Sequence, residues 1–207
     1  RKESSAASDV YKRQVHAQVV NRLAGSFFTV DLVQARDVFE SLPWVRRAVV
    51  RRAFPDGMEV ELQEHQAAAL WGEPDKSTLV NTHGEVFEAS LGDVEGENLL
   101  HLDGPNGSAA EVLRMSRVLK PVLEGGLKQP LQSLALSVHG GWHARMGSGA
   151  RIDIGRGTDE QLVARVQRFV DTFAQAGAKY GRTRSDFIET ADLRYADGYA
   201  LKLVGVT

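Results

Sequence analysis

Between residues 43 and 65 the chain writes both halves of a β-hairpin and the turn that joins them. Arg46, Arg47, Arg51 and Arg52 precede Pro55-Asp56-Gly57, and Glu59, Glu61 and Glu64 follow it. Opposite charges that face each other across an antiparallel ladder contribute roughly 0.2–1 kcal/mol per pair, so charge is expected to help fix the register. Met58, Val60 and Leu62 alternate with Glu59, Glu61 and Gln63, which turns one face of the returning strand apolar and leaves the other polar. Two strands with one dry face are marginal in water and require a cover.

The residues before the hairpin supply that cover. Asp31 is placed to N-cap a helix that puts Leu32, Ala35, Val38 and Phe39 on one side and stops at Pro43. Upstream, Val15, Val19, Val20 and Leu23 predict a short helix over 15–24 that Gly25 ends. Residues 1–14 are polar, small and charged without a period, and are expected to be loosely ordered or foreign to the natural protein. The first unit, 15–66, therefore reads helix, helix, strand, strand.

From Ala67 the pattern changes to strands and turns. Strands are expected at 70–71, at 78–80 and 85–88 around a turn at 81–84, and at 99–102. A helix over 109–123 follows, with Ser108 as N-cap and Gly125-Gly126 as its stop. Strands come next at 131–138, 142–146 and 150–154, the last two joined antiparallel by Gly147-Ser148-Gly149. Leu162, Val166, Phe169, Val170 and Phe173 mark a helix over 158–176. The chain closes with strands at 187–194 and 199–204 around Tyr195-Ala196-Asp197-Gly198. The fold class is α+β: a small helix-covered sheet over 15–66, then a mainly antiparallel β domain over 67–207 with two flanking helices.

Composition narrows the chemistry. With 207 residues the chain is long enough to bury a core, and 25 Lys and Arg against 27 Asp and Glu leave a net charge of -2. That balance creates no global field to recruit nucleic acid or an anionic membrane. The absence of cysteine excludes disulfides, thiolate metal sites and cysteine nucleophiles. No apolar run approaches the roughly 18 residues of a membrane span, so the chain reads as soluble.

No catalytic set emerges from the motifs. His139 and His143 stand four apart, a spacing that brings ligands together on a helix, yet Gly140 and Gly141 between them favour a turn. Gly147-Ser148-Gly149 and Gly155-Arg156-Gly157 lack the Lys-Ser or Lys-Thr of a phosphate loop and read as turns. Asp153, between Ile152 and Ile154, reads as an outward residue of a half-buried strand. Trp44, Trp71 and Trp142 read as core or domain-contact residues. The arginines of the hairpin face their own glutamates, which argues against a phosphate track. No cofactor, no metal and no enzymatic activity are expected.

Several stretches, taken in order, resemble one family. These are Phe27-Phe28-Thr29-Val30-Asp31, Leu42-Pro43-Trp44-Val45, Val50-Arg51-Arg52 with Phe54-Pro55-Asp56, and Glu64-His65 before Ala69-Leu70-Trp71-Gly72. Leu79-Val80-Asn81 with Gly84-Glu85-Val86-Phe87, Leu102-Asp103-Gly104-Pro105, Ile154-Gly155-Arg156, and Asp192-Leu193-Arg194-Tyr195 with Gly198 continue the series. Together they resemble the bacterial cell-division family FtsQ, called DivIB in some lineages. The resemblance implies a POTRA domain followed by a β domain. Residues 1–14 stand where the family has the first POTRA strand and the membrane helix before it.

The resemblance further implies a non-enzymatic divisome scaffold, anchored in the inner membrane by a segment absent from this chain, with both domains periplasmic. Its implied partners are FtsB and FtsL, bound at the end of the second domain, where an edge strand accepts an added strand. Arg194, Tyr195 and Gly198 match family positions at that site, Arg194 as an anchor for an acidic group and Tyr195 as an apolar contact. Tyr199, Ala200, Leu201, Lys202 and Leu203 are inferred as edge-strand contacts. The arginine that the family often carries near Trp142 is replaced here by Gly140 and Gly141. Val50 and Arg52, with Arg47 matched by type, correspond to a POTRA face tied to recruitment by upstream division proteins. The competing reading, a POTRA-containing chaperone module of outer-membrane protein assembly, is disfavoured because one such unit appears and no barrel follows.

Overall fold

The computed structural model describes residues 31–54, 57–73, 77–94 and 98–205. The expected helix over 15–24, the segment 1–14 and the first POTRA strand lie outside them. The chain divides into two compact units between Gln66 and Ala67.

In the first unit, α1 (Leu32–Glu40) precedes the hairpin of β1 (Val45–Ala53) and β2 (Gly57–Glu64). Asp31 caps α1 by accepting the Val33 N–H at 2.8 Å. The helix ends at Ser41, two residues ahead of Pro43, whose ring disfavours helical backbone in the residue before it. Phe39, Val45 and Ala48 form the buried centre, with Val38, Leu42, Val50, Val60 and Leu62 packed around them. The Glu40 carboxylate accepts the Ala48 N–H at 3.0 Å and ties α1 to β1.

The hairpin register is set more by the dry face than by charge. Ala48 lies opposite Leu62 and Val50 opposite Val60, whereas Arg51 is the arginine directly opposite a glutamate, Glu59. Arg47 meets Gln63, and Arg46 falls in a bulge between Val45 and Arg47. Glu61 faces Val49 and is diagonal to both Arg47 and Arg51, a weaker arrangement than a face-to-face pair. A one-residue slip would turn the apolar row outward, which costs more than any of these pairs supplies.

The second unit is a nine-stranded sheet ordered β11-β10-β9-β8-β7-β6-β3-β4-β5. Its strands are β3 (Ala67–Trp71), β4 (Thr78–Asn81), β5 (Val86–Glu88), β6 (Leu100–Asp103), β7 (Leu131–Leu136), β8 (Trp142–Met146), β9 (Arg151–Gly155), β10 (Ile188–Asp192) and β11 (Ala200–Leu203). Five junctions are antiparallel; β3–β6, β6–β7 and β9–β10 are parallel. A parallel pair needs a long crossover, and α2 (Ala109–Leu127) and α3 (Asp159–Ala178) provide two of them, β6 to β7 and β9 to β10. The α+β expectation stands, with more parallel pairing than the sequence suggests.

Both helices pack on one face of this sheet. There a continuous cross-strand row, Leu102, Leu134, Ala144, Ile152, Ala191 and Leu201, meets Leu119, Leu123, Leu162, Val166 and Phe169. Trp142 is 3% exposed and belongs to the same core, while Trp71 packs against it half-buried. Thr158 and Gln161 form a capping box at the start of α3. Arg114 of α2 pairs with Asp159 in the first turn of α3 and holds that carboxyl below the usual carboxylate range.

The glycine stop expected after 123 does not occur. α2 runs through Gly125 and Gly126 to Leu127 and ends at Lys128, whose φ of 55° is left-handed. A Cβ at Gly126 would lie 2.3 Å from Val170 Cβ, so this glycine serves close approach of α2 to α3 rather than termination.

Candidate protein-docking site

The sheet ends at β11, which pairs with β10 and with no other described strand. Val204 N–H donates to the Phe187 carbonyl at 2.8 Å. Antiparallel alternation then turns the main-chain groups of Leu203 and Leu201 away from β10, toward the open edge. Such a row of donors and acceptors is a template for another strand.

Side chains along β11 divide by parity. Ala200 and Lys202 are exposed, Leu201 is half-buried against the core, and Leu203 is 5% exposed. Tyr199 also turns inward: its ring meets Phe169 edge-on at 5.1 Å, and its hydroxyl bonds Thr172 Oγ1 at 2.9 Å. Tyr199, Leu201 and Leu203 therefore anchor the edge, and Leu203 in particular presents its backbone rather than its side chain there. Lys202 Nζ pairs with Glu189 at 2.7 Å. Tyr195, 56% exposed, and Val204, 49% exposed, supply apolar surface at the two ends of the strand.

The turn before β11 is held from α3. Arg168 Nη1 donates to the Ala196 carbonyl at 2.9 Å and Nη2 to the Tyr195 carbonyl at 3.4 Å. Arg168, Phe169 and Thr172 thus grip residues 195–199 from one side of the helix. A Cβ at Gly198 would meet nothing within 4 Å, so this glycine leaves open surface beside the strand.

Arg194 is not a free cation. Its Nε and Nη2 donate to the two Asp192 carboxylate oxygens at 2.9 and 2.6 Å, and Nε lies 3.2 Å from Asp153 Oδ2. Gly155, at φ 82°, makes room for the arginine stem, since a Cβ there would lie 2.8 Å from Arg194 Cγ. Asp153 Oδ1 is buried without a hydrogen-bond donor, and His143 Nδ1 stands 3.6 Å away. The cross-strand row His143, Asp153, Asp192 explains the cluster. Asp153 is therefore an ion-pair partner, a role its sequence context did not reveal because β9 and β10 are joined in parallel across twenty residues of helix. The Asp192-Leu193-Arg194 spacing, i to i+2 on an extended chain, was the readable part of the signal.

Arg194 holds the Asp192 carboxyl below the usual carboxylate range, and the Asp192 carboxylate in turn raises the guanidinium. A depressed carboxyl contributes stability above its unfolded pKa, near 3.9, and loses it as pH falls through the folded value. Arg194→Ala is expected to move the Asp192 titration upward and to narrow the loss of stability between pH 5 and pH 2. A carboxyl-carbon NMR titration of both proteins checks this.

The three POTRA positions do not share a face. Arg47 is exposed in the outer row with Val49 and Arg51, whereas Val50 and Arg52 follow the inner parity opposite Val60 and Met58. Val50 is half-buried beside the core, and Arg52 is exposed at the hairpin end. Among the described residues no group of three or more His, Cys, Asp and Glu is arranged to hold a metal ion.

A POTRA-type unit joined to a mixed-sheet β domain whose C-terminal strand pairs on one side only among the described strands defines a class of two-domain α+β protein. Residues 6–65 match the family model of the POTRA domain, FtsQ-type, and residues 69–194 match that of cell division protein FtsQ/DivIB, C-terminal. The chain is 42% identical over 194 residues to cell division protein FtsQ of Thiomonas arsenitoxydans, covering 93% of this chain and 70% of that protein. It is 37% identical over 193 residues to FtsQ of Burkholderia pseudomallei (93% and 74%) and 36% identical over 207 to FtsQ of Bordetella pertussis (91% and 71%). The chain belongs to the FtsQ/DivIB family of cell-division proteins.

Proposed function

We propose that this chain is a non-enzymatic divisome scaffold that binds the FtsB and FtsL pair by strand addition at β11, and so links early and late division proteins. The observation that carries this reading is the position of β11 at the sheet edge, with main-chain groups of Leu201 and Leu203 turned outward. An extended partner segment adds as a tenth strand; the main chain supplies affinity and the flanking side chains choose the partner. Tyr195 and Val204 offer apolar contacts, and Ala200 leaves room beside the strand. Arg194 acts as the acidic-group anchor by exchanging part of its contact with Asp153 or Asp192 for a partner carboxylate.

Both domains lie in the periplasm in this reading, as parts of a protein anchored in the inner membrane. Among the described residues no helix is long and apolar enough to cross a membrane. Arg47, Val50 and Arg52 contribute to recruitment from the POTRA unit, Arg47 from one face and Arg52 from the other.

The test is calorimetric titration of the chain with the extracytoplasmic segment of cognate FtsB, alone and in complex with FtsL. Saturable binding, with the outward main-chain amides of Leu201 and Leu203 newly protected in hydrogen exchange, supports strand addition. Binding with no protection at β11 overturns it.

A further inference from the structure

The opposite face of the large sheet is covered by neither α2 nor α3. It holds a groove of about 440 Å³ lined by Ser133, His143, Arg145, Arg151, Asp153 and Asp192 among others. Register organises the charges. One cross-strand row runs Ser133, Arg145, Arg151, Thr190, Lys202 and ends on the edge strand β11; the next runs Ala135, His143, Asp153, Asp192, Ala200. Arg145 and Arg151 are directly opposite each other, a pairing of like charges that destabilises a ladder. Both are exposed, and neither makes an ion pair with a described residue. The two carboxylates nearest in the register, Asp153 and Asp192, are already held by Arg194.

We infer that this groove receives an acidic segment of the partner docked at β11, with two carboxylates on Arg145 and Arg151. The inference rests on the strand-addition reading and deepens it, because the arginine row leads directly to the edge where the partner arrives. Neighbouring strands are about 4.8 Å apart, close to the 5–6 Å between residues one helical turn apart, so glutamates at i and i+3 or i+4 of a helix match the two guanidinium groups. A carboxylate over the pair relieves the like-charge repulsion, which is a reason for selecting an acidic occupant. No Phe, Tyr or Trp is among the residues lining the groove, so it lacks the broad stacking platform a glycan would use.

The experiment titrates cognate FtsB extracytoplasmic segment into the wild-type chain and into R145E/R151E, R145Q/R151Q and R145K/R151K, each at low and at physiological salt. The expected result is roughly ten- to hundred-fold weaker binding for the reversal, less for the glutamine pair, recovery with lysine, and a shallower salt dependence wherever charge is lost. Thermal melts keep the test clean: the glutamine pair removes two adjacent like charges and does not threaten the fold, and the reversal is read only with a melt that matches the wild type. Equal affinity and salt dependence in all four proteins overturns the inference and leaves strand addition standing. No binding by the wild type overturns both. Loss of retention on peptidoglycan sacculi, with FtsB binding unchanged, would assign the groove to an anionic glycan and overturn the acidic-segment assignment.

Discussion

Gly126→Ala is expected to destabilise the second domain, and Gly125→Ala, one residue earlier, to stabilise it. Both glycines sit inside α2. Replacing an interior helix glycine by alanine ordinarily gains about 0.5–1 kcal/mol by reducing the freedom of the unfolded chain. At Gly125 nothing lies within 4 Å of the added Cβ, so that gain is realised. At Gly126 the Cβ would approach Val170 Cβ, Cγ2 and Cγ1 to 2.3, 2.6 and 2.7 Å, and the obstacle is a β-branched side chain with no room to swing aside. Overpacking of this kind costs about 1–3 kcal/mol and sometimes more. Chemical denaturation of the two variants should show midpoints displaced in opposite directions. In a Val170→Gly background, itself destabilised by the lost buried side chain and the new helix glycine, the penalty of Gly126→Ala should largely vanish, a coupling that a double-mutant cycle reads directly.

That pair of glycines also marks the boundary of what the sequence makes legible. Capping and periodicity are local, so Asp31 and the apolar stripe of α3 announce their helices unaided. The alternation of Met58, Val60 and Leu62 likewise places the dry face of the hairpin without reference to the rest of the chain. Gly125-Gly126 reads as a terminator because helix ends favour glycine, but the reason for Gly126 lies in Val170, 44 positions away. The same holds for the ion cluster. His143, Asp153, Asp192 and Arg194 meet through a register that links β8, β9 and β10, and the β9–β10 pairing is parallel. No turn residue encodes a parallel register, since the connection is a whole helix rather than a tight hairpin.

The edge site shows both situations together. Tyr195-Ala196-Asp197-Gly198 and the strand after it read as a hairpin from turn chemistry alone, and β10 and β11 form one. That β11 is terminal in the sheet follows from the order of nine strands, which no local pattern contains. Nor does the sequence disclose that Arg168 and Thr172, polar residues bordering the apolar stripe of α3, hold the turn before β11 through Ala196 and Tyr199. An arginine and a threonine four apart on a helix are ordinary surface residues until a turn from elsewhere arrives above them.

Tyr195→Ala and Gly198→Trp are expected to lower FtsB affinity by at least roughly ten-fold each, the range in which truncating a central aromatic contact falls, while leaving the fold untouched. The two act in opposite senses. Tyr195 is 56% exposed, so its removal deletes partner contact without opening a cavity in the core. Gly198 has no neighbour within 4 Å of a Cβ and no left-handed backbone angle, so the chain itself accepts a side chain there, whereas a segment approaching β11 meets a new obstacle. Tyr199→Phe provides the contrast: it removes the hydroxyl bond to Thr172 at 2.9 Å but keeps the ring on Phe169, and should loosen the strand with little direct effect on partner contacts. Calorimetry with the FtsB segment, read beside circular dichroism melts, separates the cases. If Tyr195→Ala and Gly198→Trp both bind as the wild type does while melting normally, the partner docks elsewhere. If Gly198→Trp alone binds normally, Tyr195 makes its contact apart from the β11 edge and strand addition at that edge fails.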